Sequence, residues 1–596
     1  MLKSSKVVQK IDFKILLLVL VLLAAFFVRF WKIDQVPPSL YVDEADYGLQ
    51  ARSLIATFAD YNGERSPFWV HSFNDIRTPI PAYLITLSTS IFQNPEIQIR
   101  LPVVILGTLV VLLAFLLVKL WTKSYLAAIL TAAVFAFNPW QIQFSRWAHE
   151  GMIMMAFYMA GIYFFFAALQ TRSYKFLIIA TILLSATVYT YRTMSFYIPV
   201  TFILLFLIYF KNLLKFGFKK IFFVGILAAI IVLPFLYSTT FGAPDVPRIS
   251  QLSIFSEPEV AIGVQRAREL DSGDLEEPEI GKKATSSSFF FHNKLLGWGE
   301  LFKDNYLQTF APEFLIISGD KNLRHSQGTG YIYLFEIIAL IFAGIFILKN
   351  LKKKEVWWLL IWLATAPIPA SLTVDGGGHA ARLFIFSGPL LILVGLGWWQ
   401  FWEMAKKIKY SKVGATFVVL VWGLFLVFHL HRYLVHYPVD SARAFGYGFS
   451  QAIEKITQIE GNYKRVVMTP TKEPPMIYYF FWARVSPRLI QEYGMQFGPE
   501  ILRNSPIDKY KVIDWPHNIG QDSELARYLR ADTLYLVSQN EVPADFRENK
   551  DAVPVGVKLI DIISYPDKTP AFYLLARDPN YNEPKTEPKF QGIGTI

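Results

Sequence analysis

The sequence predicts a mainly α-helical polytopic membrane protein with a small α/β domain at its C-terminal end, and three observations predict it. Hydrophobic residues fill 53% of the 596 positions and aromatic residues 16%, with a mean hydropathy of +0.35, too apolar for a soluble chain of this length. Long apolar segments alternate with short turns rich in lysine and arginine. From about Asp440 the hydropathy falls to that of an ordinary soluble domain.

A membrane-crossing helix needs roughly 20 largely apolar residues. About eleven segments qualify: 15–31, 99–121, 124–140, 152–171, 175–191, 195–210, 221–238, 331–348, 356–373, 383–402 and 413–431. The first follows Lys3, Lys6, Lys10 and Lys14 like a signal-peptide core, but no small-residue cleavage site comes after it, so it reads as an uncleaved span. Alternate turns carry the basic residues: Lys119 and Lys123; Arg172 and Lys175; Lys211, Lys215, Lys219 and Lys220; Lys349, Lys352, Lys353 and Lys354; Lys406, Lys407, Lys409 and Lys412. The positive-inside rule puts these turns and the N-terminus in the cytoplasm. Segments 32–98, 141–151, 192–194, 239–330, 374–382 and everything after about 432 then face outward, giving an N-in, C-out chain.

The net charge of +11 follows from those turns rather than from one basic domain, which excludes a nucleic-acid partner. Cysteine is absent, which removes disulfides, thiol catalysis and cysteine-ligated metal.

In the first outer loop, 32–98, Ala51, Leu54, Ile55 and Phe58 continue an apolar stripe from Tyr47, so amphipathic helices lying in the membrane interface are expected. Arg77-Thr78-Pro79-Ile80-Pro81 leads into an apolar piece ending at Phe92, too short to span and expected to be re-entrant or interfacial. In the loop 239–330, the Pro-, Asp- and Glu-rich stretch from Glu257 to Lys283 reads as flexible or lid-like, and 314–325 as more structured. These belong to a transmembrane domain, 1–435. The soluble domain, 436–596, shows strand-like runs at Arg465–Thr469, Lys511–Asp514, Thr533–Ser538, Lys558–Tyr565 and Phe572–Ala576, with helical stretches near Ala442–Ile459 and Met476–Val485. The last two strands flank Pro566-Asp567-Lys568-Thr569-Pro570 and read as a hairpin. No phosphate loop, metal spacing or nucleophile elbow appears there, so its expected role is structural or acceptor-recruiting.

The candidate chemistry lies on the outward segments. Asp43, Glu44 and Asp46 sit just beyond the first span, where carboxylates must be neutralised, paired or used; capping of a short helix is the plain structural alternative. Arg77 precedes the proline-rich turn; Arg146, His149 and Glu150 share a helical spacing; Tyr191-Arg192 tops the fifth span; Arg324-His325 closes the large loop; His379 and Arg382 lie in Asp375-Gly376-Gly377-Gly378-His379-Ala380-Ala381-Arg382. Each alone can be a snorkelling arginine, a solvated histidine or a turn. Together they place a few carboxylates among several cations at one membrane face. That mixture suits removal of an acceptor proton by a base while cations stabilise an anionic leaving group. Arginine suits a phosphate because its planar fork binds two oxygens and stays charged. No cofactor is required; a divalent metal has Asp43, Glu44 and His149 as conceivable ligands.

Asp43-Glu44 after the first span, Arg77-Thr78-Pro79, Arg100-Leu101-Pro102 and Ser145-Arg146 through Glu150 together resemble glycosyltransferase family 39 of the GT-C superfamily, which contains the protein O-mannosyltransferases and the bacterial lipid A aminoarabinose transferases. Residues 314–330 and Pro367-Ile368-Pro369-Ala370 through Arg382 resemble bacterial members of the family, and the resemblance covers about residues 15–430. It implies a GT-C-like membrane domain, a polyprenyl-phosphate sugar donor, a hydroxyl acceptor and inverting, nucleotide-independent transfer at the outer membrane face. It places the base on Asp43 with Glu44 paired to it, a second acid on Glu150, and a basic residue on Arg77, where Thr78 separates it from Pro79 although many relatives carry Lys-Pro. The phosphate or substrate contacts are drawn from Arg77, Arg146, His149, Arg192, Arg324, His325, His379 and Arg382. Two rival readings are a transporter or flippase of lipid-linked saccharide, against which stands the lack of duplicated halves, and a non-catalytic membrane scaffold.

Overall fold

The computed structural model describes residues 13–65, 69–72, 75–237, 252–272, 286–325, 328–468, 474–493, 510–512, 529–542 and 544–581. The expected lysines at 3, 6 and 10, and parts of the segments 257–283, 314–330 and 511–514, lie outside them. The chain forms two compact units: Met1–Pro37 with Ser66–Ser441, and Pro38–Arg65 with Ala442–Ile596.

The first unit is helical. It contains α1 (Phe13–Phe30), and later α3 (Pro79–Thr89), α4 (Pro95–Thr122), α5 (Tyr125–Phe137), α6 (Pro139–Phe144), α7 (Glu150–Thr171), α8 (Tyr174–Ala186), α9 (Met194–Leu213) and α10 (Phe218–Tyr237). Further helices run over Lys294–Gln308, Glu336–Lys349, Lys354–Thr365, Phe384–Ala405 and Ser411–His431. All eleven expected apolar segments are helices, and among the described residues seven are long and apolar enough to cross a membrane. This is a multi-pass membrane protein.

The other four are short for identifiable reasons. α5 stops where Asn138 takes an extended backbone and its side chain caps α6, with Pro139 in the first turn. α8 tightens into a 3₁₀ turn at Thr187–Tyr189. Glu336–Lys349 has 14 residues and Lys354–Thr365 has 12.

Helices α7 and Phe384–Ala405 are buried along most of their length. α10 and Ser411–His431 instead present apolar side chains outward, Phe222 at 57% and Phe417 at 67% exposure, as a lipid-facing surface requires. Backbones approach closely at Gly397, where a Cβ would stand 1.8 Å from the Ala339 carbonyl oxygen, so only glycine fits between Phe384–Ala405 and Glu336–Lys349.

Four of the five lysine-rich turns gather with Lys14 at one end of this unit. Lys123 Nζ donates to Gln170 Oε1 at 2.6 Å, Tyr125 Oη to the Lys14 carbonyl, Tyr174 Oη to the Lys220 carbonyl, and Lys354 Nζ to the Ile208 carbonyl at 2.8 Å. Alternating helices carry the intervening turns to the opposite end.

Two expectations are corrected. The acidic stretch after Glu257 is a helix, Pro258–Ser272, over its described part; apolar Val260 and Val264 among its charges face Gly297 and give the segment contacts a flexible linker lacks. The helix expected to float at the interface, α2 (Val42–Thr57), belongs to the second unit and is buried on most sides. Ala51 and Leu54 of its stripe are buried, but Ile55 and Phe58 are exposed at 43% and 77%, because the packed face also includes Glu44, Asp46, Gln50 and Ser53.

The second unit is an α/β fold around a five-stranded sheet of order β4-β3-β5-β7-β6, with β3 Arg465–Met468, β4 Tyr510–Val512, β5 Thr533–Ser538, β6 Val557–Ser564 and β7 Pro570–Arg577. β3 pairs in parallel with β4 and β5, whereas β7 is antiparallel to β5 and β6. The expected hairpin is present: Tyr565 N–H donates to the Thr569 carbonyl at 2.8 Å. Val467, Tyr535, Val537, Phe546, Tyr573 and Leu575 form its core. α2 packs on the helices Pro475–Trp482 and Pro487–Tyr493 of this unit. Gln491 Nε2 lies 2.7 Å from Ser53 Oγ, 2.8 Å from Thr57 Oγ1 and 2.7 Å from the Asp60 carbonyl. Arg52 donates to the Phe481 carbonyl at 2.5 Å and stacks 4.1 Å from the Phe481 ring.

Candidate functional site

The candidate residues fall in both units: Asp43 and Glu44 in the second, the others in the first. Asp43 is half-buried at the second position of α2. Glu44 is fully buried, and its Oε2 accepts the Tyr41 backbone N–H at 3.0 Å. The carboxylate thus ties down the N-cap amide, in the first turn's surroundings where the helix dipole favours negative charge. Asp46 accepts a 2.7 Å hydrogen bond from Tyr61 Oη.

In the first unit, the end away from the lysine turns assembles the rest. A short antiparallel ribbon, β1 (Val70–Ser72) with β2 (Asp75–Arg77), presents Arg77 just before α3. Arg77 Nη1 stands 3.9 Å from Glu150 Oε1, and His149 Nε2 stands 3.9 Å from Glu150 Oε2, the Arg77 and Glu150 side chains being 12% and 18% exposed. His149 is the N-cap of α7: its Nδ1 accepts the Gly151 N–H at 3.0 Å. Arg192 Nη2 donates to the Ile76 carbonyl at 2.9 Å, and Thr78 Oγ1 to the Thr190 carbonyl at 3.0 Å, fastening the 190–192 turn beside the ribbon. Arg77, His149, Glu150 and Arg192 therefore form one polar group at the mouth of the helices.

An aromatic shelf continues from it. The His149 ring lies 4.8 Å from Trp147, 5.4 Å from Phe144 and 5.5 Å from Tyr191. His325 stacks on the other side at 5.4 Å from Trp147 and 4.8 Å from His379. Asp320 Oδ2 meets His325 Nδ1 at 2.7 Å and accepts the Ala380 N–H at 2.9 Å. Burial pushes the Asp320 carboxyl upward, but the His325 contact and the backbone N–H groups of Asn322 and Ala380 outweigh it and hold the carboxyl below its ordinary value. Burial lowers His325 despite that carboxylate. Burial, then the neighbouring His325 and Arg382, bring His379 down to about 4, so both imidazoles are neutral at pH 7. Arg382 is paired with Asp375 and donates to Thr373 Oγ1 at 2.7 Å. Arg324 donates Nε to Asn322 Oδ1 at 3.3 Å, while its carbonyl accepts from Gln143 and Tyr437.

Arg146 is placed differently. It is fully buried, and its terminal nitrogens donate to the carbonyls of Val28, Arg29, Lys32 and Val36 at 2.8, 2.9, 3.2 and 2.9 Å. Two of these are last-turn carbonyls of α1, which lack helical partners. Two arginines outside the candidate site residues join it. Arg29 donates to Phe135 and Ala136 carbonyls at the end of α5, and Arg100 to the carbonyls of Ile33 and Pro37. Three buried guanidiniums thus fix the chain from Val28 to Pro37. Asp320 was also missed: within Gly319-Asp320-Lys321-Asn322 it has the composition of a solvated turn.

Residues 76–237, from β2 to the end of α10, match the family described as dolichyl-phosphate-mannose-protein mannosyltransferase. No curated protein matches the chain. Among solved structures, the chain is similar to the archaeal oligosaccharyltransferase AglB from Archaeoglobus fulgidus in complex with an inhibitory peptide and a dolichol-phosphate, at 15% identity and a TM-score of 0.46, over 80% of this chain and 64% of that one. It thus spans less than two thirds of that protein's length. It is also similar to ArnT from Cupriavidus metallidurans bound to undecaprenyl phosphate, at 12% identity and a TM-score of 0.48, over 94% of this chain and 97% of that one. With Arg77, His149, Glu150 and Arg192 all inside the matched stretch, the chain resembles the family 39 glycosyltransferases of the GT-C superfamily.

Proposed function

We propose that this protein is an inverting glycosyltransferase that moves a sugar from a polyprenyl-phosphate donor to a hydroxyl acceptor at the outer face of the cell membrane. The observation that carries the reading is the Arg77, Glu150, His149 and Arg192 group at the end of the helices opposite the lysine turns, inside the stretch that matches the mannosyltransferase family. The family description names a dolichyl-phosphate-linked sugar, and the proposed donor is of that class. Positive-inside topology assigns the lysine end to the cytoplasm and the polar group to the outside.

In the reaction, an acceptor oxygen attacks the anomeric carbon, its proton passes to a carboxylate, and the bond from that carbon to the phosphate oxygen breaks with its electron pair leaving on the phosphate. Inversion requires base and leaving group on opposite faces of the sugar. Asp43 is the proposed base, an assignment resting on the resemblance and on its half-buried place one residue into α2. Glu44, committed to the Tyr41 amide, acts as a positioning residue for that helix end. Glu150 orients the acceptor or balances Arg77 before the phosphate arrives, and Arg77 and Arg192 stabilise the developing charge. His325, His379, Arg324 and Arg382 complete the pool of substrate contacts, while Arg146, spent on four carbonyls, serves the scaffold.

The test is incubation of the purified full chain with a polyprenyl-phosphate sugar, with release of polyprenyl phosphate as the readout. Release at many turnovers per chain supports the reading. A protein that moves the intact donor across a bilayer and leaves it chemically unchanged is a transporter.

A further inference from the structure

We propose that Asp320, His325 and His379 form a binding site for a divalent transition-metal ion, with zinc the ion that best fits the donors. One ligand atom from each residue lies within 4.8 Å of the other two. The residues come from two turns far apart in sequence, and each turn is shaped by a left-handed glycine directly before a ligand: Gly319 at φ 76° precedes Asp320, and Gly378 at φ 71° precedes His379. The turns are held independently of any ion. Ala380 N–H donates to Asp320, Val374 N–H donates to the Leu252 carbonyl at 2.8 Å, and Asn305 Nδ2 donates to the Thr373 carbonyl at 2.8 Å. Trp147 backs the His325 ring, and the side chains of His325 and Asp320 are 4% and 9% exposed. The donors are therefore pre-organised by backbone and packing.

Two imidazole nitrogens and one carboxylate oxygen suit zinc and similar borderline ions, whereas magnesium and calcium prefer oxygen ligands throughout. Bonds of about 2.0–2.1 Å put tetrahedral ligands about 3.3 Å apart. Asp320 Oδ2 and His325 Nδ1 stand at 2.7 Å. The pair must open by about half an ångström, exchanging its hydrogen bond for two bonds to the ion, and the His325 ring proton moves to Nε2. Arg382 is turned to Asp375 and Thr373, leaving the Asp320 carboxylate to the ion. Three protein ligands leave a coordination position for water or an anionic oxygen.

The experiment uses the full chain carrying an affinity tag without histidine, stripped with EDTA, dialysed against zinc and assayed for metal per chain by mass spectrometry. One zinc per chain is expected, reduced at least tenfold in His379→Ala and Asp320→Asn. His379→Ala is the decisive variant, because it leaves the Asp320–His325 pair intact. Wild type that holds no zinc, or a His379→Ala protein that keeps it, overturns the proposal and leaves the pair a structural contact. Metal content is read without donor or acceptor, so this outcome is independent of the transferase reading.

Discussion

The Arg77 guanidinium stands 3.9 Å from the Glu150 carboxylate, joining the open end of a two-stranded ribbon to the first residue of a membrane helix. Both charges are mostly shielded and oppositely signed, so each keeps the other in place until a phosphate competes for the arginine. Arg77→Ala should lower turnover by roughly 10²-fold, the scale for loss of a group that stabilises developing charge. Glu150→Gln should lower it with little change in melting temperature, since a partly exposed pair contributes no more than about 1 kcal/mol. Steady-state transfer with matched thermal melts checks both. Unchanged transfer in Arg77→Ala removes it from the phosphate contacts.

Arg146 predicts the opposite signature. Its loss strands buried carbonyls in the segment Val28 to Val36, at a cost of roughly 3 kcal/mol, the upper range for an unsatisfied buried polar group. Arg146→Ala should therefore melt several degrees lower or fail to accumulate, and Arg146→Lys, with one point charge in place of a fork, should restore only part of the loss. A variant with wild-type melting and no transfer assigns Arg146 to substrate instead.

Gln491 should matter to α2 although it lies over 400 positions away in sequence. Its amide nitrogen reaches Ser53, Thr57 and Asp60. Gln491→Ala should raise amide hydrogen exchange along α2, with a local cost of about 1–3 kcal/mol, and should leave exchange in α7 unchanged. Equal exchange along α2 in mutant and wild type contradicts the clamp.

Much of this architecture was legible in the sequence because hydropathy alone identifies segments that bury or shed water. Every expected apolar segment is a helix, and β5, at Thr533–Ser538, has the expected bounds. Helix length was less legible: Asn138 and Pro139 divide an apolar run that composition joins into one span. Partners were the least legible. Arg146 and Arg77 look alike as sequence, but one meets backbone carbonyls and the other a carboxylate, and carbonyl acceptors carry no residue signature. Likewise the apolar stripe of α2 pointed to lipid, whereas its polar residues Gln50 and Ser53 are buried and the helix belongs to the second unit. Asp320 acquires its interest only from His325 and a distant glycine-rich turn.

The most direct measurement is donor turnover by Asp43→Asn beside wild type, with polyprenyl-phosphate sugar as substrate and the melting temperature as control. Wild type should release polyprenyl phosphate, and Asp43→Asn should fold normally yet turn over at least ~10²-fold more slowly, the scale of general-base loss. Near-normal turnover by Asp43→Asn, or a wild-type protein inert towards every polyprenyl-phosphate sugar offered, contradicts the account.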